Sequence, residues 1–151
     1  MANLKAGDPM PDTTLVGPDG PTKLRERIGK PLVVYFYPKD ETYGCTKEAC
    51  GFRDQYEDFV AAGADVIGVS RDDADSHAKF RDHHKLPFTL LSDPDGSVAS
   101  SWGVRGALGG ILPGRVTFVF DKAGVVRHRF ESNVRFGKHV DEALETVKAL
   151  R

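Results

Sequence analysis

The sequence is short of several things, and each shortage excludes something. It has only two cysteines in 151 residues, Cys45 and Cys50, too few for a disulfide scaffold. Lys and Arg number 21 against 22 Asp and Glu, for a formal net charge of -1. That balance lacks the basic excess a phosphate backbone demands, so nucleic acid is not an expected partner. No apolar run approaches the length of a membrane span. The opening MANLKAGDPMPD carries no apolar stretch of signal-peptide length behind basic residues. The expectation is a cytoplasmic protein with no membrane contact.

What is there suffices for a core. An apolar content of 40% beside 28% charged residues over this length suits one compact domain spanning residues 1–151. PLVVYFYP (31–38) and ADVIGVS (64–70) are continuous β-rich runs, as expected of strands buried on both faces. Between them Ala49, Phe52, Tyr56, Phe59 and Val60 form a helical stripe over 45–62 that ends at Gly63. A second helix is expected over 72–84, with Asp72 or Asp73 as cap. FTLLSDPDG follows as a short strand and turn, RVTFVF and VVRHRF flank a glycine-bearing loop as a hairpin, and a last helix covers about 136–150. The order points to an α/β sandwich with a mixed central sheet flanked by helices.

The chemistry concentrates in ETYGCTKEACGFRD (41–54). Cys45 follows a buried strand, a proline-containing loop and Gly44, and so falls at a helix N-terminus, where unpaired amides and the helix dipole favour negative charge and a nucleophilic sulfur. At about 100° per residue, Ala49, Phe52, Tyr56 and Phe59 lie within roughly 40° of Cys45, whereas Cys50 lies about 140° away, on the flank of Arg53, Asp54 and Glu57. Five residues of helix separate the two Cα atoms by about 9 Å, beyond the roughly 7 Å reach of a disulfide. The sulfurs can bond only if the first turn or two unwinds. Gly51, in the helix interior, costs roughly 1 kcal/mol relative to alanine and favours such unwinding; the same glycine also permits close approach of a neighbouring element.

YPKDETYGCTKEAC resembles the Q-type peroxiredoxins, the bacterioferritin-comigratory group, in which a Pro-x-x-x-Thr-x-x-Cys signature is followed by a second cysteine five residues on. The resemblance runs from KAGDPMPD through VVYFYP, FTLLSDPDG and WGV to GRVTFVFDKAGVV and the last helix. It implies a thioredoxin-like fold, with Cys45 as the peroxidatic cysteine and Cys50 as the resolving one. Thr42 is implied to offer its hydroxyl to peroxide and thiolate, Pro38 to shield the site from water, Arg115 to be the active-site arginine, and Glu48 to hold that arginine in place. Fixed donors at the sulfur suit thiolate attack, because charge develops on the departing oxygen. The implied cycle passes through a Cys45 sulfenic acid and a Cys45–Cys50 disulfide, which thioredoxin or a similar dithiol protein reduces. It needs no metal, flavin or nicotinamide, and the resemblance favours a monomer. One departure is Tyr43, where many relatives have proline; a phenol at the rim bears on which peroxides fit.

Two other functions fit two reactive cysteines: a general disulfide oxidoreductase, which ordinarily pairs cysteines two residues apart, and a redox-sensing module whose helix melts on oxidation. His77, His83 and His84 share one expected helix but lack a convergent third ligand, so no metal site is expected. His128 and His139 read as solvated side chains and Trp102 as core. The glycines of GALGGILPG (106–114) read as a loop, lacking the Gly-Lys-Ser/Thr ending of a phosphate site.

Overall fold

The computed structural model describes residues 4–104, 114–132 and 135–150. Its centre is a seven-stranded mixed sheet: β1 (Thr14–Gly17), β2 (Gly20–Lys23), β3 (Leu32–Phe36), β4 (Asp65–Ser70), β5 (Thr89–Ser92), β6 (Val116–Phe120) and β7 (Val126–Glu131). The spatial order is β2-β1-β5-β4-β3-β6-β7. Strands β3, β4 and β5 are parallel neighbours, and β6 closes antiparallel on β3 with Phe36 opposite Val116. The described helices are α1 (Tyr43–Asp54), α2 (Tyr56–Ala61), α3 (Ala74–His84), α4 (Ser97–Ser101) and α5 (Phe136–Ala149).

Strand periodicity divides the core into two layers. Val33, Tyr35 and Tyr37 face Cys45, Ala49, Phe52, Phe59, Phe80, Val140 and Ala143 on the side covered by α1, α2, α3 and α5. Leu32, Val34 and Phe36 face the opposite layer, where Leu15, Leu24, Trp102, Phe118 and Phe120 pack. Alternate residues of β3 therefore serve different cores, which is why its sequence reads as an unbroken apolar run. Trp102 is fully buried and meets Phe36, Phe118 and Phe120 edge-on, as expected of a core residue.

Several expectations need correction. The helix expected over 45–62 starts two residues earlier and breaks at Gln55 (φ -103, ψ 5) into α1 and α2. Tyr56 there donates its hydroxyl to Asp65 Oδ1 at the head of β4, so a tertiary contact overrides the continuous stripe. The expected elements also omit the hairpin β1–β2, whose four-residue strands alternate too briefly to register as a pattern. The glycine-rich loop falls, apart from Gly114, outside the described residues. Asp73 caps α3, accepting from Ser76 N at 2.8 Å, whereas Asp72 instead accepts from Ser70 Oγ and Asp40 N.

Candidate active site

The topology brings Cys45 and Arg115 together across 70 positions of sequence. Because Val116 pairs with Phe36, Arg115 emerges at the edge of the sheet where β3 releases the chain into the loop ahead of α1. Cys45 sits in the first turn of α1, 1% exposed, and Glu48 lies one turn on, fully buried. Arg115 spans the two: Nη1 donates to Glu48 Oε1 at 2.7 Å, and Nη2 donates to Cys45 Sγ at 3.3 Å. Its guanidinium lies 4.9 Å over the ring of Phe136, at the start of α5. Gly44 completes the fit, because a methyl group there would come within 2.6 Å of the Phe136 ring and 3.1 Å of Arg115 Nη2.

Behind Arg115 lies a buried layer of titratable groups. Burial pushes the Glu48 carboxyl up to about 7, with the nearby guanidinium working in the opposite direction. Burial also works against the charge of Arg115, but Glu48 and Cys45 outweigh it and hold the guanidinium above its ordinary range. Charge at this site is therefore anchored on Arg115, and Glu48 is the group that exchanges a proton near neutrality. His139, expected as a solvated side chain, is fully buried. Its Nε2 donates to Ser132 O at 2.8 Å, so Nδ1 is left as the acceptor, and Thr117 Oγ1 donates to it at 2.7 Å. Burial pushes His139 down to about 4, so it is neutral across the physiological range. Glu48 Oε2 stands 3.4 Å from that same Nδ1.

The remaining expected residues are nearby. Pro38 is half-buried at the end of the strand region. Thr42 caps the range of α1 by position and is exposed; its Oγ1 donates to Lys39 O at 2.8 Å, leaving lone pairs to present outward. Cys50 is half-buried and a free thiol, like Cys45, within the same unbroken helix. Tyr43 is largely exposed, edge-on to Phe136 at 6.4 Å, with Lys47 Nζ 5.8 Å above its ring. Gly51 meets Val140 of α5, whose Cγ2 would lie 3.0 Å from an added methyl. Close approach of α5 is thus one reason for that glycine.

The loop between β3 and α1 is itself braced from below. Tyr37 donates its hydroxyl to Asp40 Oδ1 at 2.5 Å, Ser76 donates to Asp40 Oδ2, and His77 Nδ1 lies 2.8 Å from the same oxygen. Burial alone lifts the Asp40 carboxyl, but these hydrogen bonds outweigh it and hold it below the usual range. His77 is therefore an internal brace, separated in role from His83 and His84. Phe136, His139, Asp40 and His77 are the parts sequence reasoning missed. Phe136 enters the sequence reading only as the start of the last helix, and nothing local distinguishes His139 from a surface histidine.

A thiol with a charged donor at its sulfur, a buried carboxyl holding that donor, and a second thiol one and a half turns away is a site for thiol redox chemistry. Comparison with known proteins agrees. The model of the AhpC/TSA family matches residues 6–129. Peroxiredoxin Q, chloroplastic, of Arabidopsis thaliana is 52% identical over 150 residues, covering 99% of this chain and 69% of that protein. The protein of the same name from Sedum lineare is 49% identical, covering 100% and 82%. Among solved structures, peroxidoxin BcpB from Mycobacterium tuberculosis superposes with a TM-score of 0.90 at 39% identity, covering 99% of each chain. Peroxiredoxin Q from Xanthomonas campestris gives a TM-score of 0.82 at 35% identity, covering 91% and 90%. With the fold, the placement of its two thiols and these relatives in agreement, the chain belongs to the AhpC/TSA family, in its peroxiredoxin Q branch, and is a thiol peroxidase.

Proposed function

We propose that Cys45 is the sulfur that attacks peroxide and Cys50 the one that resolves it, within one domain over residues 1–151. The observation that carries this reading is the charged hydrogen bond from Arg115 Nη2 to Cys45 Sγ, backed by Glu48. In the first step the Cys45 thiolate attacks one oxygen of the O–O bond. That bond breaks, the sulfur becomes a sulfenic acid, and the departing oxygen leaves with the electron pair and takes up a proton. Arg115 and the amides at the head of α1 would meet the charge on that oxygen, while Thr42 Oγ1, whose proton goes to Lys39 O, would accept a hydrogen bond from the incoming peroxide. Pro38 is assigned the role of limiting water at the sulfur, and Phe136, stacked on Arg115, that of keeping the guanidinium in place.

In the second step the Cys50 thiol attacks the sulfenic sulfur, water leaves, and a Cys45–Cys50 disulfide forms. The third step is exchange with an external dithiol, which is oxidised as both cysteines return to thiols. We place thioredoxin or a similar small dithiol protein in that role, with hydrogen peroxide and small organic hydroperoxides as substrates. A resolving thiol on the same chain makes a partner subunit unnecessary for the cycle, which supports a monomer. No described helix is long and apolar enough to cross a membrane. Cytosolic placement is our reading, on two free thiols that a reducing compartment keeps ready; cell fractionation tests it.

The burial of Cys45 favours peroxide over a protein substrate. A sulfur 1% exposed cannot meet a disulfide on another folded protein until α1 opens, so the reading as a general disulfide oxidoreductase fits poorly. A coupled assay with thioredoxin, its reductase and peroxide tests the proposal. Turnover that stops in Cys45→Ser supports it; undiminished turnover in that variant, or stoichiometric oxidation without turnover in the unaltered chain, refutes it.

A further inference from the structure

The third ligand missing from the histidine pair in the sequence is supplied by the loop ahead of α1. Glu41 reaches the C-terminal end of α3, where Oε1 lies 2.8 Å from His84 Nε2 and Oε2 lies 3.0 Å from His83 Nδ1. One donor atom from each of the three residues falls within 4.8 Å of the others. Adjacent residues of a helix ordinarily point about 100° apart. Here α3 ends at His84, Lys85 turns left-handed at φ 53, and the two imidazoles lie 4.2 Å apart, tilted by 34°. His84 is further held by the buried Phe80, edge-on at 5.2 Å, and its carbonyl accepts from Arg53 Nη1 of α1 at 2.7 Å.

These separations suit a small cation. A tetrahedral ion with bonds of about 2.0 to 2.1 Å needs donors about 3.3 Å apart, and Glu41 Oε1 alone stands 2.8 Å from His84 Nε2 and 3.2 Å from His83 Nδ1. Two imidazoles and one carboxylate favour a borderline metal of the zinc type over calcium or magnesium, which take mainly oxygen. Three protein ligands on an exposed face also leave a fourth position for water.

We propose that Glu41, His83 and His84 form a binding site for a divalent transition-metal ion of the zinc class, which clips the loop ahead of Cys45 to the end of α3. Glu41 is four residues before Cys45 and adjoins Thr42, so the clip fastens the segment from which α1 unwinds. The consequence for unwinding rests on the function proposed above; the site itself does not.

The test separates the two. Thiolates bind zinc, so the titrations use a Cys45→Ser/Cys50→Ser chain, with Zn2+ followed by calorimetry and Co2+ by visible absorption. One equivalent is expected to bind, with tetrahedral cobalt bands of nitrogen and oxygen ligation. Glu41→Gln and His83→Ala, each added to that background, are expected to weaken binding by about tenfold or more, with thermal melts showing that the fold persists. Affinity unchanged in both variants, or no binding at micromolar zinc, overturns the site. Amide exchange over residues 39–44 is expected to slow when zinc is added. Bound zinc with unchanged exchange there overturns the clip.

Discussion

Glu48 should make the stability of this protein fall as pH rises through neutrality, opposite to the behaviour of an ordinary salt-bridged carboxylate. Its carboxyl is held at about 7 in the folded chain, against the 4.5 of an ordinary glutamate. Between those values the native state binds the proton and the unfolded state does not. The contribution is therefore fully present below 4.5 and is lost as pH rises through about 7. That displacement corresponds to roughly 3 kcal/mol in all, most of it lost between pH 5 and pH 8. Glu48→Gln keeps the shape and removes the titration. Urea unfolding of both proteins across that range isolates Glu48 from groups remote from it, whose contributions cancel in the difference. His139 lies 3.4 Å from Glu48 and is followed separately by NMR in both chains; burial lowers it to about 4, so its own contribution runs the other way. The original chain should lose roughly 2 to 3 kcal/mol relative to the variant on going from pH 5 to pH 8. A flat difference would refute the reasoning. Such a flat difference is what results if Arg115 keeps Glu48 ionised throughout that range.

Other consequences can be checked directly. Arg115→Lys keeps a positive charge but loses the fork that reaches both Glu48 and Cys45; the second-order rate with peroxide, by stopped-flow, should fall by about a hundredfold or more, and a change of less than about threefold would contradict the role assigned to that fork. Gly44→Ala should slow the same step while leaving the fold intact, because its methyl competes with the Phe136 ring and Arg115 Nη2; an unaltered rate with unaltered circular dichroism would show that the contact is slack. Cys50→Ser treated with one equivalent of peroxide should stop at a Cys45 sulfenic acid by mass spectrometry, and an interchain 45–45 bridge in the unaltered protein would force a different scheme. In the bridged form, amide exchange over α1 should accelerate in its first two turns.

Legibility in the sequence followed chain locality. The buried strands β3 and β4, the stripe of α1 and the hairpin β6–β7 each show in a few consecutive residues, and so does the cysteine pair with its spacing. Arg115 could be singled out because it adjoins a strand and matches a family position, although its partners lie 67 and 70 residues away. His139 could not. Its burial comes from α5 packing across β6 and β7, where Thr117 and Ser132 supply partners for both ring nitrogens, and helical periodicity says nothing of such partners. Glu41 was equally silent, because its approach to His83 and His84 depends on where the loop and the end of α3 meet. The break at Gln55 was invisible for the same reason, being set by a tyrosine hydroxyl bonding to a neighbouring strand.

The two ends of α1 are held by different forces, and that difference links oxidation to unwinding. The far end is fastened by apolar packing: Phe52 is fully buried and stacks on Tyr35 with centroids 4.6 Å apart, and Arg53 bonds to His84 O. Nothing in the redox cycle alters those contacts. The near end has an exposed Tyr43, a glycine at 44 and no side-chain cap from Thr42, whose hydroxyl is committed to Lys39 O. Besides the buried Cys45 and Ala49, that end is tied by Arg115, bonded to Cys45 and Glu48. Guanidinium and thiolate are held by the attraction of two opposite charges as well as by a charged hydrogen bond. On the proposed chemistry, the sulfenic acid is neutral, so attack on peroxide removes the ion-pair attraction from that tie and leaves only the hydrogen bond. The first turns then loosen when Cys50 has a sulfenic sulfur to attack, while the packed far end keeps the helix attached to the core.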